Sequence, residues 1–111
     1  MAARGTSAAP TAGTAVVSIA TVPAGKYIAH VFSRVTGSVD EVAANRANLD
    51  LRSSANPAAT FGGGFDTKLG AGFYSTRPFE LTGSSTVSVN AVANATGSTT
   101  YDVTLILERT A

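Results

Sequence analysis

Short runs in which every second residue is apolar, each closed by turn residues, recur from Thr14 onward. This alternation constrains the fold more than any other feature. In an extended strand successive side chains point to opposite faces, so a period of two makes one face apolar. T-A-V-V-S-I-A-T (14–21) reads as a strand. V-P-A-G (22–25) is a turn, with Pro23 fixing φ and Gly25 supplying backbone freedom. K-Y-I-A-H-V-F-S-R-V (26–35) places Tyr27, Ala29, Val31 and Val35 on one side and Ile28, His30 and Phe32 on the other. Both its sides are therefore expected to be buried. A-N-L-D-L-R-S (47–53), P-F-E-L-T (78–82), T-V-S-V-N-A-V (86–92) and T-Y-D-V-T-L-I-L-E-R (100–109) repeat the pattern. N-A-T-G-S-T (94–99) fits a hairpin loop, and T-G-S-V-D-E-V-A-A-N (36–45) fits a long loop or one helical turn. No 3.6-residue stripe competes. The expectation is an all-β, antiparallel β-sandwich of about seven or eight strands.

F-G-G-G-F-D-T-K-L-G-A-G-F (61–73) invites a phosphate-loop reading and fails it. That loop needs G-x-x-x-x-G-K-[ST], and Lys68 lies between Thr67 and Leu69. The dinucleotide pattern G-x-G-x-x-G fails too, because Thr67 stands where its third glycine belongs. Taken alternately, Phe61, Gly63, Phe65, Thr67, Leu69, Ala71 and Phe73 form an apolar face. Gly62, Gly64, Asp66, Lys68, Gly70, Gly72 and Tyr74 form the outward one. The run reads as a long strand or tight hairpin. Its glycines serve either close approach from outside or a bend from one sheet to the other.

At 111 residues the chain fits one domain, within the usual range of about 50–250. Residues 1–13 carry one arginine among Ala, Gly, Ser, Thr and Pro, with few large apolar groups to order them. They are expected to form a flexible N-terminal arm, either loose or ordered against a neighbouring subunit, ahead of a single sandwich domain over 14–111. Charged residues make up only 14 % of the chain, and the net charge is +1. Such a balance excludes the basic patch of phosphate-driven nucleic-acid binding. The absence of cysteine removes disulfides and thiolate metal sites. The N-terminus has no apolar signal core and no run is long enough to span a membrane, so a soluble cytoplasmic product is expected.

Little catalytic chemistry is legible. His30 is the sole histidine and lies mid-strand, where a half-buried, hydrogen-bonded role fits better than general base. Asp40-Glu41 lacks the D-x-D-x-D-G context of a calcium loop. Asp50, Asp66, Glu80, Asp102 and Glu108 fall mostly on outward positions with nothing pairing them for glycoside hydrolysis. Asn94-Ala95-Thr96 matches the glycosylation acceptor by chance in a cytoplasmic product. The chain is expected to be no enzyme, with no cofactor and no metal.

V-P-A-G-K-Y-I-A-H-V (22–31), F-E-L-T-G-S-S-T-V-S-V-N-A-V (79–92) and Y-D-V-T-L-I-L-E-R (101–109) resemble small jelly-roll modules of phage particles, such as head decoration (cement) proteins and head-fibre modules. The resemblance implies a jelly-roll-like sandwich and a virion structural role. That role is a capsid decoration or minor capsid protein that binds and stabilises the phage head. It also implies a homotrimer, the major capsid protein as partner, and an arm that grips the capsid surface. On that reading Arg4 of the arm meets the capsid, and Asp66, Lys68 and Tyr74 beside the glycines meet the capsid or a neighbouring subunit. The alternative is a carbohydrate- or receptor-binding β-sandwich module of a head or tail fibre. A coat protein enclosing nucleic acid would favour a more basic arm.

Overall fold

The computed structural model describes residues 1–8, 13–36, 48–54, 65–66, 71–91 and 100–110. These residues carry nine strands: β1 Ala2–Ala8, β2 Ala15–Val22, β3 Gly25–Thr36, β4 Asn48–Ser53, β5 Phe65–Asp66, β6 Ala71–Ser75, β7 Phe79–Leu81, β8 Ser85–Ala91 and β9 Thr100–Thr110. All pairings are antiparallel. One sheet runs β1-β9-β3-β6, with β7 also on β3, and the other runs β2-β8-β4-β5. The result is an antiparallel β-sandwich. Its pairing is nested: β1 with β9, β2 with β8, β3 with β6 and β7, β4 with β5. The chain is thus a long hairpin folded over on itself, tied across by β3 on β9 and β4 on β8.

The predicted inward residues make the core. Tyr27, Ala29 and Val31 of β3 and Tyr101, Val103, Leu105 and Leu107 of β9 are buried against Val17, Val22, Leu49, Leu51, Val87, Val89 and Ala91 of the facing sheet. Each large aliphatic side chain contributes about 1.5–3 kcal/mol by leaving water. Tyr27 is wholly buried, and its hydroxyl donates to the Pro23 carbonyl at 2.7 Å. That bond ties the V-P-A-G turn to the strand it opens. Gly25 has φ 156°, outside the range that side-chain-bearing residues favour. A Cβ there would sit 3.0 Å from the Arg109 guanidinium, which donates to the Ala24 carbonyl and lies over the Tyr27 ring.

Four expectations change. Within the segment read as an arm, Ala2–Ala8 form β1, paired with β9 from Ala2↔Ile106 to Ala8↔Thr100. Their small side chains leave no alternation to read, but a ladder needs only the N–H and C=O of every residue. This strand makes the count nine. Second, β3 is not buried on both sides: Phe32 is 48 % exposed, and Ile28 and His30 are half-buried. Third, the parity of the glycine-rich run is inverted at its end. Phe73 is 59 % exposed, whereas Tyr74 stands opposite Val31 and packs against the core. Here β5 lies in one sheet and β6 in the other, and a shift of one residue on crossing reverses every face. Fourth, Asp50 and Asp102 occupy outward positions yet are buried, each beneath an arginine. The expectations for residues 37–45, 55–64, 67–70 and 92–99 lie outside the described residues.

Candidate functional site

The outer faces of the two sheets differ in chemistry. On the four-stranded sheet, Ser18, Asp50, Arg52, Ser88 and Asn90 share the outer side through the register Ser18↔Ser88, Arg52↔Ser88 and Asp50↔Asn90. Arg52 pairs with Asp50 at 2.9 Å, and Ser88 donates to Asn90 at 2.6 Å. That face is polar and satisfies itself.

The five-stranded sheet presents Phe32 and Phe73 to solvent. They lie directly opposite each other on β3 and β6, with ring centroids 4.5 Å apart. His30, two residues along β3, stacks on Phe73 at 6.2 Å and 3° between planes. Its Nδ1 is 2.8 Å from the Ser75 hydroxyl and its Nε2 is 3.6 Å from Glu108. Ring pairs and a stacked imidazole gain about 0.5–1.5 kcal/mol beyond the area they bury, and here they hold two apolar rings at the surface.

Beyond the rings, β1, β3 and β9 bring three charges together. The register Arg34↔Asp102 and Arg4↔Thr104 sets Asp102 between two arginines. Arg4 donates through Nε to Oδ1 at 2.8 Å and through Nη2 to Oδ2, while Arg34 Nε reaches Oδ2 at 3.3 Å. The Arg4 hydrogen bonds hold the Asp102 carboxyl below its usual value against the opposing pull of burial, and the charge of Arg4 together with Arg34 adds to the effect. Asp102 is 7 % exposed, but the two arginine side chains are 63 % and 61 % exposed. With one carboxylate for two guanidinium groups, a positive charge is left over. Between the rings and this cluster lies an open groove of about 660 Å³ with Thr104 in its lining.

The site residues expected from sequence separate. Arg4 is in the groove, held to its own chain. Asp66 lies on β5 in the other sheet, opposite Asn48. Lys68 lies outside the described residues. Tyr74, expected outward, packs inward. The structure therefore brings none of the other three to Arg4. Phe32, Phe73, Arg34 and Asp102 were not singled out. The alternation did place Phe32 and His30 on one side, but the partners of that side lie far along the chain. Among the described residues, no group of three or more histidine, aspartate or glutamate side chains is placed to hold a metal. No protein-family model and no curated protein matches the chain, so the reading of this face rests on its chemistry and on the fold.

Proposed function

We propose that the chain is a structural protein of a virus particle, a capsid decoration or minor capsid protein with a jelly-roll fold that binds and stabilises the phage head. The observation that carries this reading is the nested strand order. First and last strands are neighbours, and β1 to β4 alternate between the sheets. This order fits the rolled hairpin of the double-sheet jelly rolls used in viral capsid and lectin domains. It also agrees with the phage modules that the turn at 22–25 and the closing strand resemble. Fold alone does not assign a function, so the docking face matters. Exposed Phe32 and Phe73 give it an apolar centre with charged ends, and the partner is the major capsid protein. The protein acts as a homotrimer, in which three modest contacts add to one firm attachment.

The test is co-sedimentation of the purified protein with bare heads of the encoding phage. Wild-type protein is expected to pellet with heads, and the Phe32→Ser, Phe73→Ser double variant is expected to stay in the supernatant. If folded wild-type protein never pellets, the decoration reading fails. A second reading, a carbohydrate-binding module of a head or tail fibre, is favoured by one observation. The groove combines an aromatic platform with forked polar groups, the combination that small-ligand sites use.

A further inference from the structure

The geometry points to an acidic sugar as the ligand of the groove between Phe32, Phe73, Arg4 and Arg34: a hexuronate-type residue whose ring lies on the phenyl pair and whose carboxylate meets the two guanidinium groups. This inference goes beyond head attachment. It rests on the sugar-binding reading and gives it a ligand class.

Charge selects the sign of the ligand. Asp102 is the carboxylate shared by both arginines, and it is buried, so it is already committed to them. The Nη groups of Arg34 have no hydrogen bond among the described residues, and its side chain is 61 % exposed. A planar guanidinium binds a carboxylate through two parallel N–H donors, which fixes orientation as well as charge. Burial of Asp102 beneath the arginines holds both forks in place before any ligand arrives.

Shape selects a ring. Phe32 and Phe73 are tilted 39° and open to solvent, and the C–H face of a pyranose matches such a platform. The hydroxyls of Thr104 and Ser33 also line the groove and can exchange hydrogen bonds with sugar hydroxyls. At about 660 Å³ the groove is within the roughly 300–1,000 Å³ of small-ligand sites. A peptide carboxyl terminus fits less well. Capture of a terminus uses a nest of unspent backbone N–H groups, whereas the residues here lie on three strands whose backbones are paired in the sheet.

The experiment is calorimetric titration of the full chain with trigalacturonate and, in parallel, with the neutral galactose trisaccharide. Trigalacturonate is expected to bind at least about tenfold more tightly than the neutral sugar. Arg34→Ala is expected to lose that preference, and Arg34→Lys, which keeps the charge without the fork, to keep only part of it. Phe73→Ser is expected to weaken both sugars. Circular dichroism confirms that each variant is folded. Three outcomes overturn the inference: no uronate binding by folded wild-type protein, equal affinity for the two sugars, or Arg34→Ala binding like wild type. Head sedimentation with the same variants keeps the two readings apart. If Arg34→Ala still pellets with heads after uronate binding is lost, both stand; heads bound without any uronate binding sink the sugar site alone.

Discussion

Thr21 is the residue with the least favourable backbone among those described. Its φ of 58° lies in the left-handed region, and it stands in the irregular stretch of β2 between Ile19 and Val22. A β-branched residue there is a true outlier, and the conformation costs about 1–2 kcal/mol for an L-residue. Asparagine tolerates it better. Thr21→Asn is therefore expected to raise stability by about 0.5–1 kcal/mol, measured as a higher urea midpoint at unchanged slope. Asp102 sets a second expectation, with a direction in pH. Its folded pKa is depressed, chiefly by hydrogen bonds from Arg4. The contribution is complete above the unfolded carboxylate value of about 3.9 and is lost as pH falls through the folded value. Asp102→Asn should cost about 1–2 kcal/mol at neutral pH, moderated because both arginines are largely exposed. Wild type and variant should converge in acid. A gap that stays constant with pH would assign the loss to packing. Neither residue was legible in the sequence. Thr21 sits in a good strand pattern, and the partner of Asp102 is 98 positions away.

At the scale of elements, six strands follow from alternation, while β1 does not. An edge strand built of Ala, Arg, Gly, Thr and Ser is specified by what it touches. Gly5 shows this. A Cβ there would lie 2.2 Å from the Val16 carbonyl oxygen of β2, and a strand carbonyl cannot yield as a flexible side chain can. Gly5→Ala is expected to lift β1 off β2 and to destabilise the protein by about 1–3 kcal/mol. Hydrogen exchange should quicken in β1 and in the β9 amides that face it, with the β3–β9 ladder still protected. Uniform loss of protection would mean that β1 is integral to the core. The glycine-rich run illustrates the other limit of sequence reading. Its alternation is real, yet β5 pairs with β4 and β6 with β3, so one phase cannot describe both ends. A pattern of period two gives faces within a strand and carries no phase across a change of sheet.

At the scale of the whole molecule, the five-stranded sheet has two faces with separable duties, and substitution can tell them apart. The inner face holds Val31, Val103 and Leu105, all at 1 % exposure or less. The outer face holds Phe32 and Phe73 at 48 % and 59 %. The two sets alternate along the same strands, so neighbouring residues should behave in opposite ways. Leu105→Ala removes buried methyl groups and leaves a cavity, at a cost of about 2–5 kcal/mol. Phe32→Ser with Phe73→Ser removes rings that are already half in water. That pair should cost about 1 kcal/mol or less, because exposed positions away from special features stay near neutral. Thermal unfolding would order the variants, and the mass in solution by light scattering would report assembly. Wild-type protein is expected at three times the 11.1 kDa chain mass. A double variant that keeps its melting point but no longer pellets with heads places attachment on the outer face. A double variant that melts as early as Leu105→Ala would show instead that the rings hold the fold, and the docking face would have to be sought elsewhere.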